Sequence, residues 1–156
     1  MTHSNRSEAV PEKALHGRYT GHVLFPIYVS DVVRSAAFYR DVLGFDFLGF
    51  YDYDAAGYVT YWEGEQPPVY AGFLAGKQSF GLHKPVSEEQ KRAVGHGKFY
   101  FRVADLECHH RRVRAWGGQP SSIRTTDFMR LFSVEDPDGL TLYFAATPDH
   151  APIDPW

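Results

Sequence analysis

The residues able to do chemistry in this chain are numerous, but few stand where chemistry needs them. Cys108 is the only cysteine, so neither an intramolecular disulfide nor a thiolate metal cage can form. It falls beside Glu107, an acidic neighbour that disfavours a nucleophilic thiolate. Asp52, Asp54, Glu63 and Glu65 sit in or beside one long connection, a solvated setting rather than a rigid cleft for paired acid–base work. No GxSxG elbow, HExxH helix or glycine-rich phosphate loop is present. Two histidines are more regular: His22 and His96 each stand nine residues before an aspartate, Asp31 and Asp105. They are either solvated polar residues at strand ends or a two-histidine metal site. His109 and His110 lie on a helix that points them away from any cavity between strands.

The elements that must position these groups are written twice. Residues His22 to Val29 alternate, with Phe25, Ile27 and Val29 on one face and Leu24, Pro26 and Tyr28 on the other. Ser30 or Asp31 offers a helix N-cap, Val32, Ala36, Tyr39 and Leu43 follow at helical spacing, and Gly44 ends the run. Strands are predicted at Phe45–Tyr51, Val69–Ala75 and Gln78–His83, the last two joined at Gly76-Lys77. The second copy begins with an alternating Lys98–Val103 and a helix capped by Asp105 and ended by Gly117-Gly118. Strands near Ser121–Thr125, Arg130–Val134 and Leu140–Ala145 complete it, with a DPDG turn at Asp136–Gly139. Phe25 and Phe99, Val29 and Val103, Asp31 and Asp105, and Gly44 and Gly118 are all 74 residues apart, so the repeat keeps register. The reading is therefore α+β: two βαβββ modules, about 22–84 and 96–146, forming curled mixed sheets around a pocket. They make one domain over 19–147, with a flexible N-terminal tail at 1–18 and a C-terminal tail at 148–156.

The runs VSDVVRSAAFYRDVLGF, FYFRVADLECHHRRVRAWGG and FSVEDPDGLTLYF resemble the vicinal-oxygen-chelate superfamily of glyoxalases, extradiol dioxygenases and bleomycin-resistance proteins. In metal-dependent members one ligand stands seven residues before the helix-capping aspartate, which here gives Leu24 and Lys98. The ligands on the last strands align with Gly81 and Tyr143. Leu24 and Gly81 bring no donor and Lys98 brings a positive charge, so the usual metal site is absent and no cofactor is expected. FPIYVSD and QPPVYAGFLAGKQSFGLHKP are similar to strands of the metal-free bleomycin-resistance branch. That resemblance implies a homodimer with pockets at or near the subunit interface. A monomer whose two halves close on each other is the other arrangement.

If the apolar strand faces meet the helices, the opposite faces line the pocket. Tyr28, Tyr100 and Tyr143 then supply stacking surfaces, Lys98 and His83 orient polar groups, and Trp62 closes over the ligand as a lid. Each tyrosine is otherwise a core residue with its hydroxyl satisfied, and Trp62 an exposed loop residue. A net charge of -3 gives no reason to expect nucleic acid or an anionic membrane as partner. With no bilayer-spanning apolar run and no secretory signal, a cytoplasmic location is expected. The expected function is binding and sequestration of an antibiotic-like or other aromatic molecule without metal. The alternative is a lyase or dioxygenase with a displaced metal site, for which His22 and His96 are the candidate ligands.

Overall fold

The computed structural model describes residues 23–147, so the tails and His22 lie outside the described residues. The first strand, β1 (Phe25–Tyr28), leads into α1 (Val32–Ala37), which Asp31 caps by accepting the Arg34 amide at 2.9 Å. The helix widens into one π-helical stretch, Phe38–Val42, before Gly44 turns the chain at φ +77°. Then come β2 (Asp46–Asp52), a short β3 (Gly57–Val59), β4 (Tyr70–Ala75) and β5 (Gln78–His83). A linking helix, α2 (Glu88–Ala93), crosses to the second module: β6 (Phe99–Arg102), α3 (Leu106–Ala115), β7 (Arg124–Thr125), β8 (Arg130–Glu135) and β9 (Thr141–Ala146). Asp105 caps α3 as Asp31 caps α1, accepting the Cys108 amide at 2.8 Å.

The strands form two mixed sheets, ordered β1-β5-β4-β2-β3 and β6-β9-β8-β7. In each, the first strand of the module runs parallel to its last, β1 to β5 and β6 to β9. This is the expected repeated βαβββ plan, with β3 and α2 as additions. β3 is a hairpin arm on β2 inside the long connection. α2 announces itself only through a local cap, in which Ser87 accepts the Gln90 amide and the Gln90 side chain accepts the Val86 amide.

Alternation decides the faces. Ile27, Val29, Phe80, Phe101, Leu142 and Phe144 are buried on the helix-facing sides. These inner faces meet in one aromatic core: Phe25 stacks on Phe99 at 5.3 Å, while Phe45 lies 4.9 Å from Phe80, 4.7 Å from Phe101 and 6.0 Å from Phe144. Because both inner faces close on this core, the two outer faces look away from it on their own sides. At one flank the DPDG turn of the second module clasps the first. The buried Asp136 accepts the Tyr39 hydroxyl at 2.9 Å, and Asp138 accepts the Ser30 amide at 2.9 Å while pairing with Arg34 and the Ser30 hydroxyl. Burial, and then the Asp136 charge, push the Tyr39 phenol well above its ordinary range, so it stays a donor.

Two predictions come from this core. Tyr39→Phe should cost about 1–2 kcal/mol in urea unfolding, because it removes a donor from a buried carboxylate. The second concerns His109, whose ring lies 4.6 Å from Phe144. Burial lowers its imidazole from 6.5 to about 4, with Arg112 adding to the effect. Between those two values the unfolded chain binds the extra proton and the folded chain does not. Stability should therefore be full above the upper value and fall as pH drops toward the lower. Unfolding curves across that window should show His109→Leu with a flatter pH slope than the parent.

Candidate outer-face binding site

The first outer face is built by register. β1 places Tyr28 beside His83 of β5, and β4 places Tyr70 on the other side of His83. The His83 ring meets Tyr28 at 5.8 Å and Tyr70 at 6.1 Å, both edge-on, and its Nδ1 lies 2.6 Å from the Lys84 carbonyl oxygen. In the next row Gly81 and Gly72 stand side by side, and rings cover both. A Cβ on Gly81 would come within 2.2 Å of the Tyr70 ring, and one on Gly72 within 2.8 Å of the Tyr58 hydroxyl. Burial raises the Tyr70 phenol, and the Tyr58 hydroxyl adds to the shift. A groove of about 420 Å³ runs over this face, lined by Leu24, Leu48, Tyr58, Tyr70 and Ser79 among others. The bulge between Phe47 and Gly49 breaks the alternation of β2 beside Leu48, which is left exposed on the groove.

The second outer face carries a different aromatic set. The parallel β6–β9 pairing puts Tyr100 opposite Tyr143, and their rings stack at 4.6 Å with only 11° between planes. Tyr100 remains 40% exposed, so the pair is a platform open to solvent. Lys98 precedes it on the same parity and is exposed.

Of the six residues expected to line a pocket, the fold thus gathers Tyr28 with His83 on one sheet and Lys98, Tyr100 and Tyr143 on the other. Within one chain it does not bring the two groups together, because the sheets meet through their inner faces. Trp62 joins neither group. Its ring packs on the inner-face residue Phe50, its indole N–H donates to the Gln66 carbonyl at 2.6 Å, and it lines a cleft with Val33, Pro67 and Pro68 beside the start of α1. The ring that covers the outer face from the long connection is Tyr58, not Trp62. Tyr58 and Tyr70 are the residues the sequence reading missed. For Tyr70 a signal existed, since antiparallel pairing through the Gly76-Lys77 turn sets it level with His83.

The family's metal positions fail on the same geometry. Leu24 is 64% exposed and has no donor, the Tyr70 ring fills the space in front of Gly81, Lys98 is a cation, and Tyr143 is committed to its stack. His96 is exposed in the loop before β6. Among the described residues, no three His, Cys, Asp or Glu side chains cluster as a metal site would need. No described helix is long and apolar enough to cross a membrane.

Paired βαβββ modules with parallel first and last strands define a two-module α+β fold of two mixed sheets. This chain belongs to the glyoxalase/bleomycin resistance protein/dioxygenase superfamily, whose family model matches residues 20–144. No curated protein matches it in sequence. Solved structures of low identity share its fold. TnmS3, an antibiotic binding protein from Streptomyces sp. CB03234, is 19% identical over 85% of this chain and 100% of its own, with a TM-score of 0.67. The bleomycin-binding protein of bleomycin-producing Streptomyces verticillus, complexed with copper(II)-bleomycin, is 18% identical over 81% and 96%, with a TM-score of 0.58. TioX from Micromonospora sp. ML1 is 16% identical over 81% and 98%, with a TM-score of 0.61.

The glycine row gives a direct test. Gly81→Ala should destabilise the protein by about 1–3 kcal/mol, since the Tyr70 ring must leave its place. In a Tyr70→Ala background the same change should cost much less. Near-additive losses in this double-mutant cycle would mean that the ring does not rest on Gly81.

Proposed function

We propose that the chain is a metal-free small-molecule-binding protein of the bleomycin-resistance type, sequestering an antibiotic-like or other aromatic ligand in the cytoplasm. The observation that carries this reading is the pair of tyrosine-lined outer faces, each open and neither covered by the other within one chain. In a homodimer the first outer face of one copy meets the second outer face of its partner. Each of the two resulting pockets then has Tyr28, Tyr70 and His83 on one wall and Lys98, Tyr100 and Tyr143 on the other. The rings stack on a planar ligand while Lys98 and His83 orient its polar groups. Burying ~200 Å² of aromatic surface supplies about 5 kcal/mol before ordering costs, enough for useful affinity without a metal. The shared fold of two proteins described as antibiotic binding and bleomycin binding supports the reading.

A screen of planar antibiotics and aromatic metabolites, read by tryptophan fluorescence and thermal shift, is the test. With a ligand in hand, alanine at Tyr28, Tyr100 or Tyr143 should each weaken binding by ~1–2 kcal/mol in folded protein. Lys98→Ala should matter mainly for anionic ligands. Unchanged affinity in all three tyrosine variants would remove the outer faces from the site. Sedimentation should give a dimer at micromolar concentration, and a monomer that still binds would reject the two-walled pocket. Stoichiometric metal in purified protein, lost on replacing His22 or His96, would turn the reading to the enzyme alternative.

A further inference from the structure

The 74-residue repeat lets the two outer faces be compared position by position. On the first strand of each module, Leu24, Pro26 and Tyr28 become Lys98, Tyr100 and Arg102. An uncharged set is thus replaced by two cations with a ring between them, and Lys98 and Arg102 are both exposed. Across the same face, Arg124 of β7 stands opposite Leu131 of β8 and adds a third cation. One carboxylate opposes them, that of Glu135, which pairs in register with Thr141. On the other outer face, β1, β4 and β5 contain no acidic residue at all. The whole chain carries a net charge of -3, so the positive face runs against the sign of the molecule.

The ring between the cations is available. Tyr143 stacks on one face of Tyr100 across the β6–β9 pairing. Because β6 is the end strand of its sheet, no hydrogen-bonded strand stands beside the other face, and Tyr100 keeps 40% of its surface exposed. Among the described residues, the guanidinium–ring stacks are those of Arg40 on Phe47 and Arg112 on Trp116, so neither occupies this ring. Among the same residues no carboxylate pairs with Lys98. An open aromatic face and an uncommitted ammonium therefore stand side by side. Strand rise sets Lys98 and Arg102 ~6.6 Å to either side of Tyr100, within reach of both long side chains.

We infer that the ligand of the tyrosine faces is a planar aromatic anion, its ring against the open face of Tyr100 and its acidic group held by Lys98 and Arg102. The inference rests on the reading that these faces bind the ligand, and it adds the charge class of that ligand. Cations beside a ring select by sign. A sulfonate or carboxylate gains charge-assisted hydrogen bonds there, with Arg102 able to offer a planar fork, whereas an ammonium meets repulsion. Glu135 works against the anion, but it lies two strands from Lys98. That separation of ~10 Å is about one Debye length, so its opposition is weak.

Three probes with one fused ring and different charge make the test: pyrenesulfonate, pyrenemethanol and pyrenemethylammonium, titrated into the full chain and read by quenching of tryptophan emission. The sulfonate should bind about tenfold tighter than the alcohol, and the ammonium more weakly than either. Sulfonate affinity should fall severalfold as salt rises from ~0.05 to ~0.5 M. Lys98→Gln combined with Arg102→Gln should bring the three probes to within about twofold of one another, and Glu135→Gln should tighten the sulfonate. Arg92→Gln combined with Arg114→Gln removes the same charge from exposed helix positions and should leave the preference in place. Equal binding of the three probes by wild-type protein, or tighter binding of the ammonium, would overturn the anion assignment. The tyrosine faces would survive that result if Tyr100→Ala still weakened every probe. A sulfonate preference that persists without Lys98 and Arg102, or that vanishes with Arg92 and Arg114, would overturn the assignment as well. Binding of no probe at all would remove both the anion and the site. If the Lys98 and Arg102 double variant fails to fold, the salt dependence of wild-type binding decides, and a salt-independent preference rejects the inference.

Discussion

Phe45 touches Phe80 of one sheet and Phe101 and Phe144 of the other, and this aromatic bridge sets the direction of nearly every functional side chain. Two modules could meet edge to edge and share one cavity. Here they meet through the faces that carry their helices. Once the phenylalanines are spent on the seam, strand alternation leaves the tyrosines no direction but outward. On the strands the chemistry then divides by ring type: phenylalanine inside, where no hydroxyl needs a partner, and tyrosine on the open faces, while the buried Tyr39 outside the strands has Asp136 as its acceptor.

The seam is not symmetric even though its parts are repeated. On one flank the DPDG turn brings Asp136 and Asp138 onto α1, where Tyr39, Ser30 and Arg34 receive them. The equivalent turn of the first module is Gly76-Lys77, which has no carboxylate to offer. On that flank Arg112 of the second helix lies across Gly44 and stacks on Trp116 instead. A duplicated fold has kept its hydrophobic plan on both sides and diverged in its polar fastenings. Polar groups are the less constrained part of such a repeat, because a core position must match volume whereas a flank position need only satisfy its own hydrogen bonds.

Much of this was legible in the residues. The 74-residue offset, the aspartate caps and the period-two alternation at Phe25–Tyr28 and Phe99–Arg102 carried the fold and the choice of Tyr28, Tyr100 and Tyr143 as outward residues. Two things were not legible, for different reasons. Which faces of the two modules meet is a tertiary choice, and alternation reads the same for either packing. The long connection is the other, because its one strand, Gly57–Val59, is too short to declare a period. Trp62 packs on Phe50, and the hairpin puts Tyr58 over the outer face at Gly72. The linking helix has only the Ser87–Gln90 cap as its local signal.

The Tyr70 ring resting on Gly81 also bears on what this chain can become. Gly81 aligns with a position where metal-dependent relatives carry a donor, yet a donor introduced there alone would collide with the ring before meeting any ion. A second change at Tyr70, and further ones at Leu24 and Lys98, would have to arrive first or together. Single substitutions on the way would lose packing and gain nothing. The ring acts as a ratchet on the lineage: a metal site on this face is separated from the present protein by a valley of less stable intermediates, whereas substitutions among the side chains that already face solvent meet no such barrier.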